Sequence, residues 1–334
     1  MKKNLNKINQ KLTGSNALDE SIHQSWEQDN QAWWDWYVTL ADNSNQVNSD
    51  TRLDIPSFPN VVLPSKKMIK NELSIPYNLK KKHIDFFRKN GFIKLPNVLS
   101  TGAIAKLRKE IIILLKKKFN LDETNRFLSL EMMWLYNKVI REYVISSRIA
   151  KIGADLLGIK SIRLYHDNIL AKQPGCGRTP WHCDDQHFPL ETNDVVTVWI
   201  PVQAIPREMG PLSFAKPLSI YKMVNKVKFN KFDTTYDKQI NEIFKLNNVL
   251  IEDGPFSVGE VSFHHNFSFH TAGKNKTNMM RIALANTFYA DGAKVINNPT
   301  MVSGDWKKFI PGVKPGEIAS SKYNPICWKI NNDK

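Results

Sequence analysis

The feature that most constrains this chain is a change of period near residue 160. Before it, apolar residues recur at helical spacing. HIDFFRKNGFIKLPNVLS reads as an amphipathic helix, a stop at Gly91, a short strand and a turn. Ser100 and Thr101 then cap GAIAKLRKEIIILLKKKF, and a further helical stretch is expected from about Leu128 to Leu157, closing at Gly158. After it come short β-type runs separated by turn residues: IRLYHDNILAK, VVTVWIPV, PLSFA, EVSFHHNFSFH and RIALANTFYA. Many closely spaced strands behind a helical half predict a mainly β domain with supporting helices: a sandwich, a barrel or a jelly roll. A polar, lysine- and asparagine-rich insert at 217–250 is expected to be a partly helical loop or lid over one mouth of the β-structure.

At 42% hydrophobic residues the chain can bury a sizeable core. The basic start has no apolar run behind it, and EIIILL is too short to span a bilayer, so no membrane association and a cytoplasmic location are expected. Three cysteines without paired spacing argue against a disulfide framework. The net charge of +15 is spread in short groups beside amphipathic segments, without a nucleic-acid-binding signature, and reads as a solvated surface rather than a nucleic-acid site. Residues 1–72 form an N-terminal extension, followed by one domain over 73–334. Within the extension, Trp26, Trp33, Trp34, Trp36 and Tyr37 can share one helical face, docking on their own domain or on a second subunit as a homodimer contact. The Pro-containing linker DIPSFPNVVLP follows.

The chemistry concentrates in TPWHCDDQHF, residues 179–188. In extended chain, side chains at i and i+2 point the same way, so His182 and Asp184 face one side, and Cys183 and Asp185 the other. An imidazole and a carboxylate converging from one strand end are two corners of a site for iron(II). His270 at a later strand end supplies a third group, and Arg281 opens the next strand eleven residues on. Two histidines and one carboxylate occupy one face of an octahedral metal and leave three positions for a chelating 2-oxo acid and O2. A guanidinium suits the far carboxylate of such an acid.

These segments resemble, in order, the phytanoyl-CoA dioxygenase family of iron(II)/2-oxoglutarate oxygenases. The similarity spans about 78–330 and is carried by the opening helix–strand unit, the H-x-D segment, TVWIPVQAIPREMGPLSFA, the H-x-x-G-x-N-x-T-x-x-x-R run from His270 to Arg281, and PGVKPGEIASSKYNP. The resemblance implies a double-stranded β-helix (jelly roll) core. It implies His182, Asp184 and His270 as iron ligands, Arg281 as the anchor of 2-oxoglutarate, and Trp199 and Asn168 as lining of that pocket. Fe(II), with 2-oxoglutarate and O2 as co-substrates, would then hydroxylate a small molecule, releasing succinate and CO2. Asp184 stands where halogenating relatives have a small residue, which points to hydroxylation. Two departures stand out. Ala272 replaces a common serine, leaving a hydrogen bond to be supplied by Thr271 or Thr277, and AKPLS replaces the common P-G-S-H.

Asp185, His187, Trp181 and Trp134 are further candidates for lining the substrate site, and the polar groups near the first motif favour a polar substrate. Of His264 and His265 at most one can look inward, in a supporting role; His166 shares the face of Asn168, and Cys183 reads as packing. Two other classes stay open from the residues: a catalytically silent binding protein on the same fold, and a zinc-type hydrolase built on His182, Asp184 and His187 or His270.

Overall fold

The computed structural model of the chain describes Trp34, Val38, Phe58, Asn60 and residues 61–228, 233–299 and 306–330. Of the aromatic N-terminal face, Trp26, Trp33, Trp36 and Tyr37 lie outside the described residues, as does most of the 1–72 extension.

Two antiparallel sheets pack face to face. The large one runs β1 (Phe92–Leu95), β8 (Val261–His265), β5 (Val195–Pro201), β10 (Arg281–Ala290), β3 (Ser161–Lys172) and β11 (Ile326–Lys329), with β2 (Phe127–Glu131) also on β3. The small one runs β4 (Thr179–His182), β9 (His270–Ala272), β6 (Leu212–Lys216) and β7 (Leu250–Glu252). This is the expected mainly β, jelly-roll core with helices outside. One expectation is corrected: the stretch from Leu128 opens as strand β2, a 3-10 turn follows at Met133–Leu135, and α-helix resumes at Lys138. Phe127 to Glu131 pair with Lys172 to Asn168, and that cross-strand pairing overrides a local pattern that also fits a helix.

Five helices cover the outer face of the large sheet: α1 (Lys66–Ser74), α2 (Lys81–Asn90), α3 (Thr101–Lys118), α4 (Lys138–Val144) and α5 (Ser147–Leu157). Their limits follow from the residues at their ends. The Ser100 hydroxyl accepts from the Ala103 amide at 3.1 Å, a cap whose loss costs about 1 kcal/mol. Gly91 ends α2 at φ +80°, where a side chain would be strained. Alternation along each strand then sorts the side chains. Ile162, Leu164, Ile169, Val196, Val198, Ile282 and Leu284 face the helices and form the main core with Ile104, Leu107, Ile111 and Ile149. The opposite faces carry Phe92, Trp199, Ala283 and Ala285, which meet Leu212, Phe214 and Ala272 of the small sheet. Phe92 and Phe214 stack at 4.4 Å and join the two layers. Truncating Phe214 to Ala would cost about 3–5 kcal/mol.

The 217–250 segment forms two helices, α6 (Tyr221–Val224) and α7 (Thr235–Leu246). Their apolar residues Val224, Tyr236, Ile240 and Phe244 pack with Trp181, Cys183, Ala215 and Phe269, on the side of the small sheet opposite His182 and His270. Among the described residues, no helix is long and apolar enough to cross a membrane.

Candidate metal centre

His182 closes β4 and His270 opens β9, and the two are register partners. Their rings lie 4.1 Å apart, and Asp184 follows two residues after His182, at the start of a 3-10 turn. One ligand atom from each of His182, Asp184 and His270 lies within 4.8 Å of the others. The tautomers are set locally: Nδ1 of His182 lies 2.8 Å from the Pro180 carbonyl, and Nδ1 of His270 lies 3.0 Å from that of Ser268. Each Nδ1 therefore carries the proton, and each Nε2 presents a lone pair toward Asp184 Oδ1, at 3.9 and 3.8 Å. Burial lowers the pKa of both imidazoles, that of His270 strongly, so both are neutral donors at pH 7. Burial alone would raise the Asp184 carboxyl, but His270, His264 and His182 outweigh it and hold it well below the carboxylate range.

The second oxygen of Asp184 is held from the large sheet. Thr197 donates to Oδ2 at 3.2 Å, and His264 Nε2 sits 3.4 Å from it. Thr197 is bonded in turn to Thr287 across the β5–β10 ladder. These contacts fix the carboxylate so that Oδ1 faces the two Nε2 atoms. His264 thus has the expected supporting role, whereas His265 points the other way, against Phe87. Thr197 and Thr287 were missed; only the parity that places Thr197 beside Trp199 on the inner face could have found them.

Further into the sandwich lies Arg281, 1% exposed. Its guanidinium donates to the Gly210 carbonyl at 3.2 Å, and its Nε has no partner. No carboxylate among the described residues pairs with it, and burial brings its pKa down to about 10. A buried guanidinium with no carboxylate beside it is costly, and the chemistry that would offset the cost is an anion. Its position is built by the turn before it. Asn275 donates to the Lys172 and Met279 carbonyls and accepts from Thr277, pinning the β9–β10 connection against β3. Gly210 lies at φ +72°, and a Cβ there would sit 2.2 Å from the Gly273 carbonyl oxygen, so only glycine lets the two loops cross at the anchor. Trp199 lies beside the guanidinium, 5.4 Å from its carbon to the ring centre.

Between the two ends the inner face carries Ala283, Ala285 and Leu170, small or apolar groups. Asn168, the register partner of Ala285, lies on the same face and accepts from Ser129 at 2.9 Å. Lys172, unremarked in the sequence, is fully buried at the register position opposite Arg281, its ammonium donating to the carbonyls of Gly177, Ala272 and Gly273. The parity it shares with Asn168 was the available signal.

The remaining candidates divide. His187 is close, its ring 6.4 Å from that of His182. Asp185 is turned away: its oxygens accept from Tyr221 at 2.7 Å and from Cys183 at 3.0 Å. Trp181 is buried on the outer side against Phe244, because β4 alternates. Trp134 is buried in the core under the helices, with Arg141 over its ring. Neither tryptophan is brought to the metal centre. Nor does Thr271 or Thr277 replace the serine lost at Ala272, since Thr271 donates to the Thr179 carbonyl and Thr277 bonds Asn275 and Met279.

The donor set of two neutral imidazoles and one carboxylate, with a buried guanidinium beyond it whose Nε lacks a partner, fits iron and 2-oxoglutarate. The comparisons agree. The family described as phytanoyl-CoA dioxygenase (PhyH) matches residues 87–283, more than half of the chain. The chain belongs to this family, and so to the 2-oxoglutarate-dependent oxygenases. No curated protein matches it by sequence. Among solved structures it is similar to the non-heme alpha-ketoglutarate-dependent carbocyclase SnoK from nogalamycin biosynthesis, with 22% identity, 76% of this chain and 99% of that one covered, and a TM-score of 0.62. The epimerase SnoN, solved with Fe3+, alpha-ketoglutarate and nogalamycin RO, matches at 20% identity over 74% and 98%, TM-score 0.59. EctD from S. alaskensis, with 2-oxoglutarate and 5-hydroxyectoine, matches at 16% over 74% and 90%, TM-score 0.55. At these identities the likeness shows the shared fold.

Proposed function

We propose that this oxygenase hydroxylates a small polar molecule, with His182, Asp184 and His270 as the iron ligands and Arg281 as the anchor for 2-oxoglutarate. The observation that carries the reading is a pre-oriented triad of two imidazoles and a carboxylate in the same sandwich as a buried arginine that no carboxylate among the described residues neutralises. In this reading Arg281 holds the far carboxylate of the co-substrate as a bidentate pair, and Trp199 closes the pocket against water. Thr197 and His264 keep Asp184 ionised and aimed. Bound iron with 2-oxoglutarate and O2 supplies the oxidising power, with succinate and CO2 as co-products. The intact carboxylate at 184 supports hydroxylation over halogenation.

Polar groups on the same inner face support a polar substrate. His166, register partner of Thr287, has a buried Nδ1 without a partner and stacks on Phe309 at 4.4 Å. Glu131, at the strand end opposite Asn168, pairs with Lys308 at 2.7 Å. Together they offer hydrogen bonds, both signs of charge and an aromatic wall. Anaerobic addition of Fe(II) and 2-oxoglutarate should give a weak visible charge-transfer band that His182→Ala abolishes. A metabolite screen for substrate-dependent succinate release would then name the substrate. Absence of the band, or its persistence in His182→Ala, overturns the reading.

A further inference from the structure

The arginine anchor is one layer of a stack that reaches beyond the family-matched region. Arg281, Lys172 and Phe127 are consecutive register partners across β10, β3 and β2, so their side chains emerge on one face of the large sheet. The Phe127 ring lies 5.8 Å from the Arg281 guanidinium carbon and 5.7 Å from the Lys172 ammonium. Trp199 is likewise within cation–π range of the guanidinium. Phe127 is 2% exposed: Trp34 stacks on it at 4.5 Å and 21°, with Val38, Cys176 and Leu170 completing the cluster.

We infer that Trp34 is a positioning residue for the co-substrate, the outer layer of a stack that runs from Trp34 through Phe127 to Arg281. This rests on the proposal that Arg281 receives 2-oxoglutarate. The physical case has two parts. A guanidinium next to aromatic rings keeps its charge at lower cost than one in saturated surroundings, because the ring faces are negative. A phenyl ring with an exposed back would have rotational freedom and water behind it; the indole removes both, and so holds the guanidinium plane where a carboxylate can be met by two parallel N–H groups. Trp34 would thus support the co-substrate site from outside the family match, which begins at residue 87.

The test uses the full chain loaded with Mn(II) in place of iron, so that binding is read without turnover. Calorimetric titration of Mn(II) and then 2-oxoglutarate would be compared in the parent, Trp34→Ala, Trp34→Phe and Arg281→Met. Trp34→Ala should weaken 2-oxoglutarate about five- to tenfold, with Mn(II) affinity unchanged and Trp34→Phe close to the parent. Trp34→Leu, which keeps apolar bulk without a ring face, guards against a folding defect in the alanine variant and should show the same selective loss. The inference is overturned if both Trp34→Ala and Trp34→Leu bind 2-oxoglutarate within twofold of the parent. Equal loss of Mn(II) and 2-oxoglutarate affinity overturns it too, since that marks general unfolding. Failure of the parent to bind 2-oxoglutarate, or undiminished binding by Arg281→Met, sinks the proposed function itself, a result distinct from the other two.

Discussion

At the candidate metal centre, His182 and His270 come from short strands of the small sheet and Asp184 from the turn just after β4, and the side chains of His182 and Asp184 keep some contact with solvent, 14% each. Each histidine there is oriented by a carbonyl two residues back along its own chain. At the arginine end, a cation lies 1% exposed on the large sheet, and what surrounds it comes from distant parts of the chain: Gly210, Trp199, Phe127 and, beyond that, Trp34. One end is built from local geometry and the other from packing. The contrast teaches that metal affinity and co-substrate affinity should fail separately when the protein is altered.

The largest effect is expected where a ligand is removed. Asp184→Ala or His270→Ala should weaken Mn(II) or Fe(II) binding by more than about a hundredfold, beyond what loss of a supporting contact produces. Equilibrium dialysis with metal analysis reads this directly. Arg281→Met comes next: 2-oxoglutarate affinity should fall about thirty- to a thousandfold, as for other buried charge pairs, while metal affinity stays within about twofold. If metal binding collapsed with it, the two ends would not be independent. Smaller again are the groups that hold Asp184. Thr197→Val and His264→Phe should each cost about tenfold in metal affinity, visible as a shifted Mn(II) titration, and leave the arginine end untouched.

The smallest expected effect is on stability against pH, outside both ends. Burial lowers the pKa of His265 to about 4, and next to it the His264 charge acts in the same direction. Below the unfolded value near 6.5 the unfolded chain takes up this proton first, so His265 subtracts stability as pH falls from about 6.5 toward 4. Asp167 acts with the opposite sign, since burial pushes it up to about 7 and the folded chain holds its proton longer. The informative quantity is therefore the difference between parent and His265→Gln in urea unfolding at pH 7.5, 6.5 and 5.5. The variant should lose less stability on acidification than the parent; parallel curves would show that His265 titrates normally.

Much of the metal end was legible in the chain because its determinants are short-ranged. His182 and Asp184 are two residues apart, and the H-x-x-G-x-N-x-T run fixes the distance from His270 to Arg281 through bonds that Asn275 and Thr277 make within the turn. The substrate candidates fared unevenly for the same reason. Alternation correctly sent Cys183 and Asp185 away from His182, yet Trp181, an odd number of residues from His182, is subject to the same rule and lies with them on the outer side. Leu128 to Glu131 read as helix because a short apolar run has no decisive period, and only its pairing with β3 made it a strand.

By itself, then, the sequence determined the change from a largely helical half to a β half and the facing of His182 with Asp184, because these follow from side-chain period and a spacing of two residues. The grouping of His270 and Arg281 with them rested on the resemblance of the ordered segments to the family. Only the tertiary structure decided that Thr197 and His264 hold the free oxygen of Asp184, that Lys172 is buried beside Arg281, and that Trp34 backs Phe127. Those contacts join residues up to about 110 positions apart, and no local preference of the chain encodes which strand will lie beside which.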